Sequence, residues 1–197
     1  MAGPPLNRYL VVSCRDRVVM IRLFVAIELP LDVRERLHAL GGGVPDGRWQ
    51  NLNKLHLTLR FVGEVPEDLA SDVVAELSGI RSPAFDLTLN DVGCFGEGKH
   101  TRILWAGVEA NPQLMALKTK IDNALAHAGC EADRRHKFVP HITIAHLRHP
   151  PADSVIHWLQ AGAGFHAGPL HIDRFTLYSS DKRNYTREQE FMLLPAG

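Results

Sequence analysis

The pattern of Leu55-His56-Leu57-Thr58-Leu59-Arg60-Phe61-Val62 returns downstream as Pro140-His141-Ile142-Thr143-Ile144-Ala145-His146-Leu147. In both copies apolar residues alternate with polar ones over a short β-prone run, the mark of a half-buried strand whose side chains repeat every second residue. On that period Leu55, Leu57, Leu59 and Phe61 point into a core while His56, Thr58 and Arg60 point out of it. In the second copy Ile142 and Ile144 point in while His141 and Thr143 point out. Each strand therefore presents an imidazole and a hydroxyl side by side. A single histidine on a strand is more often structural than catalytic; the repeat with matching flanks is what singles out this pair and implies a duplicated unit.

Working outward from the first copy, Ile21 to Leu29 is rich in β-branched and aromatic residues and closes at Pro30, which predicts a buried strand. Leu31 to Leu40 carries apolar residues at helical spacing and ends in Gly41-Gly42-Gly43, read as a hinge or helix cap, since no phosphate-loop Lys-Ser/Thr follows. Glu67 to Leu77 predicts an amphipathic helix. Phe85–Leu89 and Arg102–Val108 predict two strands joined by the glycine-rich loop at 93–98. Asn111-Pro112 opens a helix running to about Ala128, with Gly129 as its stop. After the second copy come a shorter helix from Ala152 to Gln160, one strand from Leu170 to Tyr178, and a last strand at Glu190–Leu194. Helices lie between strands and a hairpin closes each half. The fold class expected is α+β: two pseudo-symmetric lobes of mixed, largely antiparallel sheet with flanking helices, the motif strands meeting across a central groove. Residues 20–197 form one domain on this reading, preceded by an extension at 1–19.

Composition narrows the functional classes. A chain of 197 residues that is 45% hydrophobic and 22% charged is an ordinary globular sequence rather than a disordered or fibrous one. Its formal net charge of zero argues against electrostatic wrapping of duplex nucleic acid, while leaving room for a local phosphate site. Cys14, Cys94 and Cys130 are far apart and odd in number, so neither a disulfide framework nor a cysteine metal site is expected. No apolar run has bilayer length and no cleavable leader pattern opens the chain, so a cytoplasmic protein, monomeric and without membrane contact, is expected.

Two imidazoles facing one another suit paired acid and base work, because an unperturbed histidine titrates at about 6.5. The hydroxyls of Thr58 and Thr143 beside them can donate to an oxyanion. A base on the attacking oxygen, an acid on the departing one and donors for the equatorial oxygens are what phosphoryl transfer needs, with no metal or cofactor required. The motifs Leu55-His56-Leu57-Thr58-Leu59-Arg60-Phe61-Val62-Gly63 and Pro140-His141-Ile142-Thr143-Ile144-Ala145, with Arg22-Leu23-Phe24-Val25-Ala26-Ile27 and Arg102-Ile103-Leu104-Trp105, resemble the 2H phosphoesterases. Within that superfamily the likeness is to the RNA 2′,3′-cyclic phosphodiesterases, some of which are also described as 2′-5′ RNA ligases. The resemblance covers nearly everything from Met20 onward. It implies hydrolysis of an RNA-type 2′,3′-cyclic phosphate to a 2′-phosphate, with His56 as proton donor, His141 as proton acceptor, and RNA ends or cyclic nucleotides as partners. Small cyclic nucleotides, 2′-5′ linkages, or a non-catalytic RNA-end-binding role are the alternatives. The family commonly has Arg where this chain has His146, which plain alternation puts on the face opposite His141.

Further candidates surround the motifs. Arg60 on the first strand, and Arg135 in the basic run Arg134-Arg135-His136-Lys137 just before the second, are candidates for substrate binding. Phe138, Trp49 and Phe95 are candidates for stacking on a base, with core packing the bland reading of each. Lys182, Arg183 and Tyr185 are candidates for the groove rim. The pairs His141/His146 and His166/His171 do not read as zinc ligands, because strand geometry splits each pair between faces and no carboxylates cluster beside them.

Overall fold

The computed structural model describes residues 19–131, 137–181 and 184–195. Strand β1 (Met20–Glu28) leads into helix α1 (Leu31–Ala39), a two-residue strand β2 (Arg48–Trp49), the first motif strand β3 (His56–Pro66) and helix α2 (Glu67–Ser78). Strands β4 (Phe85–Phe95) and β5 (Ile103–Val108) precede helix α3 (Pro112–His127), the second motif strand β6 (His141–His146) and helix α4 (Ala152–Gly162). Strands β7 (His166–Ile172), β8 (Arg174–Ser180) and β9 (Tyr185–Met192) complete the described chain.

The strands lie in the order β7-β4-β5-β6-β3-β1-β8-β9, with β2 alongside β6. Every ladder between these strands is antiparallel. The expected two lobes are the halves of this order, β6-β5-β4-β7 and β3-β1-β8-β9, and each has its histidine strand innermost. Their inner strands β3 and β6 share one rung, Leu57↔Ile142, whose two side chains are fully buried, and a parallel bridge Pro83↔Leu194 links the segments beside β4 and β9. Helices α2 and α3 cover one face of the sheet with Val73, Leu77, Leu114, Leu117, Ile121 and Leu125. The Asn111 side chain caps α3 by accepting from the Leu114 amide at 2.9 Å, Pro112 occupies its first turn, and Gly129 at φ 84° ends it.

Two expectations are corrected. The single strand expected from Leu170 to Tyr178 is two strands, because Asp173 carries the chain from one lobe to the other: Ile172 pairs with Phe85 in the first lobe, whereas Phe175 pairs with Phe191 in the second. The strict alternation of the motif strands also breaks, and at the same place in each. In β3 the register against β1 passes from Thr58↔Ala26 to Arg60↔Val25, skipping Leu59. In β6 the register against β5 passes from Thr143↔Trp105 to Ala145↔Leu104, skipping Ile144. Each motif thus carries a β-bulge immediately after its threonine, where two successive residues turn inward and the alternation resumes out of phase.

The bulge reverses the predicted directions of Arg60 and Phe61. Arg60, expected to face outward as a substrate-binding residue, is only 9% exposed, whereas Phe61, expected in the core, is 62% exposed. The Arg60 guanidinium donates to Asp122 of α3 at 3.1 Å and to the carbonyls of Cys130 and Glu131 at 3.4 and 2.5 Å. It thereby ties the bulged strand to α3 and to the segment leading away from it, while giving the nearly buried guanidinium the acceptors it needs. Asp122 retains Lys118 as a second partner. Arg60→Met should therefore lower the unfolding free energy in urea by about 2–4 kcal/mol, somewhat less than the loss of a sole partner in a buried ion pair, with Lys at this position recovering only part. A variant as stable as the parent would show that these bonds do not hold the bulge.

Candidate active site

Because β3 and β6 run antiparallel through Leu57↔Ile142, one step along the register in either direction sets Thr58 opposite His141 and His56 opposite Thr143. All four side chains lie on the face away from the buried pair and are half-buried. The two imidazoles are held alike. His56 Nδ1 lies 2.8 Å from the carbonyl of Lys54, and His141 Nδ1 lies 2.7 Å from the carbonyl of Val139, in each case two residues back along the chain. A carbonyl only accepts, so both rings carry their proton on Nδ1 and leave Nε2 for chemistry. His56 Nε2 is 3.0 Å from the Thr58 hydroxyl.

The surroundings of the two rings differ. Phe24 packs 5.1 Å from the His56 ring, Tyr185 stands edge-on at 5.5 Å, and Tyr178 lies at 6.4 Å while stacking on Phe24. Burial in this aromatic cluster pushes the His56 pKa down to about 4; the Lys54 carbonyl and the Glu28 carboxylate pull it back upward, and His141 lowers it further. His141 meets Phe95 edge-on at 4.9 Å and Trp105 at 6.5 Å. The Trp105 ring occupies space that only a glycine at 93 leaves free, since a Cβ there would stand 2.2 Å from it.

Beside the motif residues lies a cavity of about 320 Å³, bordered by Thr58, His141, Phe61, Phe138, Lys118 and Lys137. Lys118 sits 5.3 Å over the Phe138 ring. Of the residues singled out in the sequence, the fold brings together His56, Thr58, His141, Thr143, Phe138 and Tyr185. Phe95 is near but packs on His141, and Trp49 packs against Trp158 at 6.3 Å. Arg60 borders the cavity with its guanidinium already engaged. Arg135, with Arg134, His136, Lys182 and Arg183, lies outside the described residues. Phe24, Phe61, Trp105 and Lys118 were missed as site residues. Phe24 and Trp105 read as ordinary strand aromatics, Phe61 was assigned to the wrong face, and nothing in the sequence ties Lys118 on α3 to a strand motif.

The site thus holds two imidazoles of the same tautomer and two hydroxyls, with a cavity that His141 and Thr58 share with two lysines alongside. Among the described residues no three histidine, cysteine, aspartate or glutamate side chains converge as metal ligands. No helix among them is long and apolar enough to cross a membrane.

The sequence profile of the family described as the 2′-5′ RNA ligase superfamily matches residues 30–184. An RNA 2′,3′-cyclic phosphodiesterase of Thermotoga maritima is 33% identical over 171 residues, covering 81% of this chain and 87% of the relative. A protein of the same description from Escherichia coli is 36% identical over 127 residues, covering 62% of this chain and 70% of its own. Among solved structures, E. coli LigT complexed with 3′-AMP superposes with a TM-score of 0.70 at 30% identity, covering 89% of this chain and 99% of that one. The match spans both motif strands and most of each lobe, and the chain belongs to the 2′-5′ RNA ligase superfamily.

Proposed function

We propose that this protein is an RNA 2′,3′-cyclic phosphodiesterase that opens the terminal cyclic phosphate to a 2′-phosphate by paired histidine catalysis. The observation that carries this reading is the matched pair of imidazoles, each with Nδ1 donating to a carbonyl and Nε2 left unprotonated, set beside each other's threonine across the rung between the two motif strands. The curated relatives of the same description, similar over most of the chain, supply the substrate class.

In the proposed reaction the Thr58 and Thr143 hydroxyls donate to the non-bridging oxygens of the phosphate. His141 Nε2 accepts a proton from water as the water oxygen bonds to phosphorus. His56 donates its Nε2 proton to the departing 3′ oxygen as the P–O3′ bond breaks, leaving a 3′-hydroxyl and a 2′-phosphate. The direction, His56 as acid and His141 as base, follows the family likeness. Burial, reinforced by His141, holds the His56 pKa at about 4, so the ring is neutral near neutral pH. The phosphate anion is what reverses this, because a negative charge against the ring favours the imidazolium. Phe61 and Phe138 offer the terminal base two apolar surfaces, with Lys118 and Lys137 near the phosphate. A monomeric enzyme acting on RNA ends in the cytoplasm is part of this proposal.

His56→Ala or His141→Ala should each lower turnover of a 2′,3′-cyclic nucleotide by about 10²–10⁴-fold while the circular dichroism spectrum stays the same. The wild-type product should be the 2′-phosphate. A 3′-phosphate would reverse the assigned roles, and near-normal turnover in either variant would remove the two-histidine mechanism.

The acid's protonation can be followed directly by NMR titration of the His56 ring. In the free protein it should titrate at about 4. Saturation with a 2′-nucleotide should raise that value by about one pH unit or more, and an unmoved titration would mean that no anion sits against His56. Turnover should also persist in excess EDTA, since both proton carriers are side chains; loss of activity restored by a divalent cation would show that the chemistry needs a metal.

A further inference from the structure

The groove does not end at the two motif rungs. Along the groove face of β6, His141 faces Thr58 and Thr143 faces His56, and a third pair follows. After the bulge at Ile144 the alternation restarts, so Ala145 is buried and His146 returns to the face of His141, against the expectation of the opposite face. Phe61, at the equivalent position of β3, turns to the same groove in the same way. Here β3 has splayed away from β6, and β2 takes its place: Arg48 pairs with His146 and Trp49 with Ala145, and the Gln50 amide donates to the Ile144 carbonyl at 2.8 Å. The third rung is therefore Arg48 beside His146, next in line after His56 beside Thr143.

At this end of the groove neither Arg48 nor Lys54 has an ion-pair partner among the described residues. Arg48 is exposed, and its guanidinium has no ion-pair or hydrogen-bond partner among the described residues. Lys54 has its ammonium 5.0 Å over the ring of Tyr185, the same ring that stands edge-on to His56. Burial lowers the pKa of His146, and the Arg48 charge lowers it further. Burial raises that of the Tyr185 hydroxyl, against the pull of Arg22 and Arg48. Glu28, the carboxylate nearest His56 in the ladder, is taken up by Arg34 and Arg187. Arg48 at the third rung, and Lys54 over the Tyr185 ring that stands against His56, put two cations beside the proposed phosphate site, a second place for an anion.

We propose that Arg48, with Lys54 and Tyr185 around it, binds the phosphodiester that links the terminal nucleotide to the preceding one, so that the protein selects an RNA end over a free cyclic mononucleotide. The inference rests on the phosphodiesterase reading above and deepens it. A cyclic mononucleotide without a 5′-phosphate leaves this third rung empty, whereas any RNA end fills it.

The test compares three substrates that share the same terminal cyclic phosphate: a mononucleoside, a dinucleotide with a natural linkage, and a dinucleotide whose linkage is an uncharged methylphosphonate. In the wild-type protein kcat/KM should be about tenfold higher for the natural dinucleotide than for either of the others. Its dependence on log salt should be steeper by about 0.7. Arg48→Met should bring the natural dinucleotide down to the methylphosphonate, and the two changes should not add, because they delete the two ends of one contact. Equal rates for natural and methylphosphonate linkages in the wild type would overturn the proposal even if the variant failed to fold. So would a preference that survives Arg48→Met. Wild-type protein that turned over none of the three would instead defeat the phosphodiesterase reading itself.

Discussion

Two strands from different halves of the chain share one backbone rung, Leu57↔Ile142, and both side chains of that rung are fully buried. Slipping either strand by one residue would carry its histidine and threonine into the core and push its leucine or isoleucine into water. The apolar pair thus sets the register, and the register sets the chemistry: His56 next to Thr143, Thr58 next to His141, all four on one side. A wider ladder between the lobes would have filled the groove with backbone and paired side chains. A single rung lets the sheet part on both sides of it, which is where the cavity beside Phe61 and the place taken by β2 are found.

The paired bulges are the second device. Placed after Thr58 and after Thr143, they bury two successive residues, and the positions beyond them return to the groove. In β3 this anchors Arg60 to Asp122 and exposes Phe61; in β6 it buries Ala145 and brings His146 against Arg48. One local irregularity, repeated, links strand anchoring to the composition of the groove walls.

His56 and His141 are equal in tautomer and unequal in surroundings. Phe24, Tyr178 and Tyr185 remove water from the His56 ring, and a bound anion compensates for that lost solvation. The Glu28 network stands behind this wall, accepting from Arg187 and Tyr178, so the aromatic cluster is fixed from its far side. In the proposed mechanism this imidazole takes its proton when phosphate binds, which suits the role of acid, since it is then charged when there is a leaving group to receive the proton.

The repeat itself determined much about this protein: two half-buried strands, an imidazole and a hydroxyl on each, a duplicated α+β architecture, and a phosphoryl-transfer constellation. These are legible because side-chain period and residue chemistry are local properties. The helix from Pro112 and its stop at Gly129 were legible for the same reason. The tertiary structure alone decided which way Arg60, Phe61 and His146 face, because a bulge depends on how two strands of unequal local length are paired, and each strand by itself keeps perfect alternation. It alone brought Phe24, Lys118 and Arg48 to the groove, since each comes from an element other than the two histidine strands and no local pattern shows which strands or helices those elements pack against. It alone divided the run from Leu170 to Tyr178 between two lobes, because a strand's sequence shows that it needs a partner and not which partner it takes.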